Sequence, residues 1–374
     1  MGIRSTMKII VLSLTMLGGV SAGRAEEIKI AFVGPMTGAL ADIGEQIRQG
    51  AELAAHDINA ASGIDGNKIL LSIEDDACDP KQAVSVANRV VGDEIKLVDG
   101  HVCSGASISA SEVYAENSVL MMTPATVNSK LTDGVFAKGW TTIMRLYARD
   151  DAQGELIGSW IAARCADRRI AFLHDKSAYG RGLADQVKAQ MNARGVKEIL
   201  FEGINPGEKD YTAVIGKLKT LRAEVVYYGG YPTEGGLIMR QAADQGFKFQ
   251  MVGTSGFVAP IFWSIAGSAG EAALFPFPTD PRQLSTAKRI TEELQAIGSV
   301  PESFTLFSYA TVQALAEGVQ RAGKVDAVAI AQALRTGMPV NTVLGPIAFD
   351  AKGDAQGMTY DINVWHDGRH MKLP

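Results

Sequence analysis

Basic residues are in the minority in this 374-residue chain: 36 Lys and Arg stand against 41 Asp and Glu, and they form no stripe or polybasic tail. Phosphate binding needs clustered Lys and Arg, so the composition argues against a nucleic-acid partner. Long apolar runs are also lacking. The longest near the start, Ile9 to Val20, falls short of the ~20 residues that cross a bilayer. There is no Gly-x-x-x-x-Gly-Lys-Ser/Thr loop, no Gly-x-Gly-x-x-Gly opening a helix after a strand, and no His-Glu-x-x-His. These gaps leave no nucleotide cofactor and no metal to expect. Gly253-Thr254-Ser255-Gly256 lacks the Gly-x-Ser-x-Gly spacing of a nucleophile elbow. His174, Asp175 and Ser177 crowd together in sequence, whereas a catalytic triad converges from separate loops. With five histidines in all, no general base stands out, and the chain is not expected to be an enzyme.

What the N-terminus does have is the pattern of a cleaved leader. Arg4 and Lys8 precede the short apolar run, and Gly23-Arg24-Ala25 offers small residues where a signal peptidase needs them. Residues 1–25 are therefore expected to be removed and the protein to be exported to the periplasm. The leader carries three bases and no acid, so its loss takes the formal charge from −5 to −8.

Three cysteines remain: Cys78, Cys103 and Cys165. Export places them in an oxidising compartment. Cys78 and Cys103 each follow an expected strand, and neighbouring strand-end loops of one parallel sheet lie side by side, so a bridge between them is reasonable. It would contribute about 3 kcal/mol by closing the loop. A metal site built from both sulfurs and His101 lacks a fourth ligand at a usual spacing. Cys165, in an amphipathic stretch, reads as a buried thiol.

Short apolar strands alternate with amphipathic helices. Strands are expected at 28–33, 69–73, 95–98 and 119–122, with helices at 42–62, 80–92 and 107–117 between them. In the first helix Ile43, Ile47, Ala51, Ala54 and Ile58 share a face. In the second, Asp79 is a good N-cap and Pro80 a good first residue. The order then restarts, with helices at 153–165, 179–193, 211–221 and 234–245 and strands at 170–173, 198–201, 225–228 and 249–252. Single helices between strands favour parallel pairing with right-handed crossovers. The fold class is thus α/β, with two doubly wound parallel-sheet lobes. Three further helices, 281–297, 304–321 and 327–335, are expected to cover these lobes, and 347–349 and 360–365 to add closing strands. Returning to lobes already made requires several crossings, which make a hinge.

In such sheets ligands bind beyond the carboxyl ends of the strands. Those ends carry Gly34-Pro35-Met36-Thr37-Gly38, Cys103-Ser104-Gly105-Ala106-Ser107 and Thr123-Pro124-Ala125-Thr126 in the first lobe. Small residues, hydroxyls and helix N-termini suit an anion such as a carboxylate. The second lobe offers Tyr179 and Tyr231, each with a flat apolar face and a hydroxyl.

These motifs, together with Asp75-Asp76-Ala77-Cys78-Asp79-Pro80, His174-Asp175-Lys176, Gly207-Glu208-Lys209-Asp210 and Tyr227-Tyr228-Gly229-Gly230-Tyr231, resemble the leucine/isoleucine/valine-binding proteins of bacterial ABC importers. The likeness runs from about Ile28 to Trp365. It implies a type I periplasmic binding protein fold with a multi-crossing hinge. It also implies lobes of 26–146 with 278–354 and of 147–277 with 355–374, and a Cys78–Cys103 disulfide. A ligand site of Ser104, Ala125, Thr126, Tyr179, Tyr231, Ser255 and Phe304 is implied as well. Two positions that read the zwitterion depart from the family pattern. Val127 stands where the family has a threonine, and Ser255 stands where it has the acid that pairs with an α-ammonium. Ile43 replaces an aromatic roof. Asp150, Asp151 and Glu234 are the candidates to replace the acid; otherwise the ligand is not a plain α-amino acid. The expected function is the substrate-binding component of an amino-acid ABC importer, a monomer that binds a branched-chain or related amino acid and docks on a membrane permease. A non-α-amino carboxylate ligand, or a sensor module of the same fold, is the alternative.

Overall fold

The computed structural model describes residues 1–2, 27–296 and 304–373. Residues 3–25 of the expected leader and the end of the expected helix 281–297 lie outside the described residues.

The first sheet is built from β1 (Ile28–Gly34), β2 (Ile69–Asp75), β3 (Leu97–Gly100), β4 (Leu120–Thr123) and β5 (Ile143–Arg145), joined by α1 (Ala41–Ala60), α2 (Pro80–Gly92), α3 (Ser104–Glu116) and α4 (Lys130–Ala137). Its strands run parallel in the order β2-β1-β3-β4-β5. Burial on both faces explains the mostly apolar sequences of β1, interrupted by the exposed Lys29, and of β4. The α2 start is as its sequence implies: the Asp79 carboxylate accepts from the backbone N–H of Lys81 at 2.9 Å and of Gln82 at 2.8 Å.

The chain then crosses over and builds a second sheet. Its parallel part uses β6 (Ile170–His174), β7 (Leu200–Gly203), β8 (Val225–Gly229), β9 (Gln250–Val252) and β10 (Leu274–Pro278), with α5 (Asp150–Arg164) leading in and α6 (Ala178–Ala193), α7 (Thr212–Thr220), α8 (Pro232–Asp244) and α9 (Pro260–Ala266) between strands. A second crossing returns it to the first sheet through α10 (Lys288–Ala296), α11 (Thr305–Ala322), α12 (Ala327–Leu334) and a small ribbon of β11 (Val340–Thr342) with β12 (Gly345–Ile347). A third crossing delivers β13 (Tyr360–His366) and β14 (Arg369–Lys372) to the second sheet, antiparallel, giving the order β14-β13-β10-β9-β8-β6-β7.

The late helices cover the first sheet, as expected: α11 packs on α1 and reaches β3 and β4. The α1–α11 approach is close enough to demand glycine, since a Cβ at Gly50 would lie 2.0 Å from the Thr305 carbonyl oxygen. Residues 345–347 pair only within their ribbon rather than closing a sheet. β5, α4, β10, α9 and β14 were not expected. β10 reads Leu-Phe-Pro-Phe-Pro, which argues against a strand. It survives because its pairing with β9 is limited to Leu274, so its prolines interrupt no long parallel ladder.

Two buried ionisable groups tie the first sheet to what packs on it. Arg145, fully buried, donates from Nε to Asp354 Oδ1 at 2.8 Å, and Arg149 donates to Asp354 Oδ2 at 2.7 Å. Asp354→Ala strands a buried guanidinium and should cost about 3–5 kcal/mol in urea unfolding; a loss near zero would mean that the pair does not hold this junction. Asp99, in the middle of β3, receives the Ser308 hydroxyl at 2.5 Å, and burial holds its carboxyl well above the usual range. The folded chain thus keeps this proton to higher pH than the unfolded chain. The stability it contributes is full below the unfolded pKa of ~4 and falls as pH rises toward the folded value. Asp99→Asn keeps an acceptor for Ser308 and has no proton to lose. It should melt above the parent at about pH 8, and the gap should close toward about pH 4; a gap independent of pH would contradict this.

Candidate functional site

The strand order reverses between β1 and β3 in the first sheet and between β6 and β8 in the second. Crevices at such reversals, beyond the strand carboxyl ends, are where doubly wound sheets hold ligands. Here the two crevices share one cavity. Leu40, Ile43, Val102, Cys103 and Ala125 line it from the first sheet's side, and Tyr179, Tyr231, Ser255 and Gly256 from the second's. Phe304, just ahead of α11, completes the wall. The cavity volume is about 40 Å³, well below the ~300–1,000 Å³ usual for small-molecule sites, so the two walls stand nearly in contact.

Ala125, Tyr179, Tyr231, Ser255 and Phe304 therefore come together, while Ser104 and Thr126 stand behind the wall. Ser104 directly follows the wall residue Cys103, is 1% exposed, and its hydroxyl has no hydrogen-bond partner among the described residues. Thr126 turns inward: its hydroxyl meets Ser107 Oγ at 2.5 Å and donates toward the carbonyls of His101 and Val102, both at 3.2 Å. It fastens the loop after β4 to the loop after β3. Val127 is buried in the core.

Helix α3 starts three residues before its expected start at 107, so Ser104, Gly105 and Ala106 form its first turn. The N-cap, Cys103, supplies no side-chain cap. The first-turn N–H groups and the positive end of the helix dipole thus lie at the cavity edge. Tyr231 is the N-cap of α8 and likewise provides no side-chain cap.

The α3 start is braced from beneath. Cys78 and Cys103 form a disulfide with their Cα atoms 5.4 Å apart. Beside it, Asp76 Oδ2 meets His101 Nδ1 at 2.6 Å while Asp76 Oδ1 accepts from the Cys78 N–H at 2.8 Å. His101 Nε2 reaches the Tyr114 hydroxyl at 3.1 Å. Both ring nitrogens and both sulfurs are thereby engaged, which leaves nothing for a metal at this place. Cys165 is a buried free thiol.

On the opposite wall Tyr179 and Tyr231 stack with ring centroids 4.8 Å apart. Glycine makes this possible: a Cβ at Gly180 would lie 2.3 Å from the Gly229 carbonyl oxygen, so α6 sits directly on the end of β8. The Tyr179 hydroxyl meets Ser255 Oγ at 3.3 Å and accepts from the Gly256 N–H at 3.1 Å. Gln153, from α5, clasps Ser255 twice: Nε2 donates to its hydroxyl at 3.3 Å and Oε1 accepts from its N–H at 3.2 Å. On the other side of the wall, Phe304 meets Phe277 edge-on at 5.8 Å.

None of the three acids considered as replacements lines the cavity. Asp150 is 2% exposed, accepts from the Ser129 N–H at 3.0 Å, and has its pKa raised by burial. Asp151 pairs with Arg149 at 3.0 Å, and Glu234 accepts from the Gly207 N–H at 3.1 Å. Sequence reasoning missed Leu40, Val102 and Gly256 as wall residues, since apolar residues at strand ends carry no chemical mark. It also missed Gln153, a single polar residue on a helix with no pattern to single it out.

Comparison with known proteins agrees with this architecture. The family model described as periplasmic binding protein matches residues 27–365. A Leu/Ile/Val-binding protein homolog from Brucella abortus is 43% identical over 360 residues, spanning 96% of this chain and 95% of that protein. A leucine-binding protein from Thermotoga maritima, 24% identical, superposes with a TM-score of 0.84 over 93% of this chain and 98% of its own. A solute-binding protein from Rhodopseudomonas palustris in complex with 3,4-dihydroxybenzoic acid, 19% identical, superposes with a TM-score of 0.80 over 93% and 96%.

The brace beneath α3 is testable by itself. The bridged residues are 25 apart in sequence, so Cys78→Ala with Cys103→Ala should lower stability by about 3 kcal/mol. The parent's melting temperature should fall on reduction and the variant's should not; equal sensitivity to reductant in both would contradict a bridge in solution.

Proposed function

Since the chain belongs to the periplasmic binding protein family, we propose that it captures a small carboxylate-bearing solute between its lobes and delivers it to the permease of an ABC importer. The guest is a branched-chain amino acid or a related acid with an apolar body. Leucine and 3,4-dihydroxybenzoic acid, with which the two fold neighbours are titled, share a carboxylate on a compact apolar frame. The observation that carries this reading is the single cavity lined by strand-end residues of both sheets.

The lobes are residues 26–146 with 278–354 and 147–277 with 355–374. In the open form the guest's carboxylate docks at the first turn of α3, near Ser104 and Ala125. The second lobe then swings in with Tyr179 and Tyr231, and the three crossings absorb the rotation. Guest binding shifts the open–closed balance only by its differential affinity for the two states. A micromolar guest has about 8 kcal/mol to divide between being held and closing the lobes. The protein acts as an exported monomer in the periplasm after loss of residues 1–25, releases its guest unaltered, and has no part in catalysis or nucleic-acid binding.

A thermal-shift screen of amino acids, amides and aromatic carboxylates should find at least one compound that raises the melting temperature. Ser104→Ala and Tyr231→Ala should each weaken that compound tenfold or more in calorimetry while folding normally. Undiminished affinity in both variants would place the binding site elsewhere.

A further inference from the structure

We infer that Asp175 is the positioning residue of the second lobe's wall, and that the lobes close with a proton on its carboxyl, so that a guest is held more tightly in acid. The inference rests on the proposed clamp and adds a control to it.

Asp175 stands between the end of β6 and the start of α6 and is 1% exposed. Its Oδ1 accepts from the Ser177 N–H at 2.9 Å and from the Ser177 hydroxyl at 2.6 Å. Ser177 is the N-cap of α6. With its proton committed to Asp175, its oxygen accepts from the Gly180 N–H at 2.9 Å. Tyr179 is the residue between, the second of α6. The same carboxyl is wedged against β8. The Asp175 N–H donates to the Gly229 carbonyl at 3.0 Å, and a Cβ at Gly180 would lie 2.3 Å from Asp175 Oδ1. Tyr231, two residues beyond Gly229, stacks on Tyr179. One carboxyl thus sets the two segments that carry the stacked tyrosines.

Its other oxygen, Oδ2, is buried without a hydrogen-bond partner among the described residues. The groups around it are an acid and phenols. Glu234, 6% exposed in the first turn of α8, accepts from the Gly207 N–H at 3.1 Å. The Tyr228 hydroxyl of β8 is also buried without a partner, under a turn so close that a Cβ at Gly230 would lie 2.2 Å from it. Burial keeps Tyr179, Tyr211, Tyr228 and Tyr231 protonated. The cations of this segment are engaged elsewhere: Lys176 with Asn205 Oδ1 at 2.5 Å and Arg181 with Asp185 at 2.8 Å. His174 Nδ1 faces the Lys176 N–H at 3.1 Å, and burial lowers the pKa of its ring.

A carboxylate with a bare buried oxygen among such neighbours is unfavourable, whereas a neutral carboxyl is tolerated. Burial, with Glu234 adding to it, pushes the Asp175 carboxyl up to about 6. Closing works in the same direction. Asp76, on the first lobe's loop after β2, also acts on the Tyr231 phenol. Closed lobes therefore gather carboxyl groups of both sides about one phenol and exclude the water that screens them when open. Asp175 thus holds its proton more strongly in the closed form, and closing takes a proton up. Affinity is full below the open-form pKa and is lost as pH rises through the closed-form value, about 6.

The test titrates L-leucine, 4-methyl-2-oxopentanoate and benzoate into the full chain without its leader. At about pH 5.5 and about pH 8 all three keep ionised carboxylates, so a change in affinity belongs to the protein. A probe that binds should bind about threefold or more tightly at the lower pH. Calorimetry at about pH 6 in two buffers of different ionisation enthalpy should show uptake of about half a proton per guest. Asp175→Asn keeps an acceptor for Ser177 and cannot titrate; it should bind with the parent's acid affinity at both pH values. Ser177→Ala loses the cap and keeps the acid, so it should weaken binding at both pH values and preserve their ratio. Binding without pH dependence or proton uptake overturns the inference and leaves the clamp standing. An Asp175→Asn variant that keeps the parent's ratio also overturns it, since another group then titrates. Unchanged affinity in Ser177→Ala overturns the positioning role. If Asp175→Asn does not fold, the parent's proton uptake decides, and its absence is fatal. Failure of all three probes to bind at either pH overturns the clamp, and this inference with it.

Discussion

The guanidinium of Arg145 is the constraint on which the rest of this structure depends. It is fully buried at the end of β5, where the chain leaves the first sheet. Besides its pairing with Asp354, it donates to the carbonyls of Asn128 at 2.9 Å and Thr126 at 3.2 Å and to the Thr132 hydroxyl at 2.7 Å. Its backbone bonds on both sides to the Gly353–Ala355 segment, each at 2.9 Å. One side chain thus fixes the loop that carries Ala125, the start of the first crossing and the approach to the third. A buried ion is tolerable only when its hydrogen-bonding capacity is filled, and that requirement specifies one geometry for all three segments.

That geometry explains which parts of the fold were legible beforehand. Elements with local signals were read well: α2 from Asp79 and Pro80, β8 from its unbroken apolar run, β1 from a run interrupted only at Lys29, α1 from its buried stripe. Elements held by distant partners were not. β5 is three residues long and contains an arginine, so nothing local marks it as a buried strand; its reason lies more than two hundred residues away at Asp354. The site divides the same way. Tyr179 and Tyr231 announce themselves as large amphipathic residues at strand ends, whereas the support of Ser255 by Gln153 spans 102 residues and leaves no trace in either local pattern. Thr126 shows the converse limit. A hydroxyl at a strand end can face a ligand or the chain's own carbonyls, and only its partners decide.

Asn128, on the loop pinned by Arg145, donates its amide to the Ala178 carbonyl at 2.6 Å, just ahead of the stacked tyrosine on α6. The rest of the meeting surface near the cavity is aromatic and aliphatic. Such a surface gains from closing by an amount that scales with area and depends little on the guest.

The separation of framework from wall has a consequence for specificity. The disulfide, the Asp76–His101 pair and the Arg145 cluster fix the positions of the strand ends without contributing a charged group to the cavity. Ser255, by contrast, sits on a short buried 3₁₀ turn after the three-residue strand β9; Phe257 of this turn stacks on Phe262 in the core, while Ser255 itself is held by hydrogen bonds with Gln153. A substitution there changes the chemistry of the wall while the buried clusters that define the fold stay intact. The charged groups that fix the strand ends are thus separate from the residues that line the cavity.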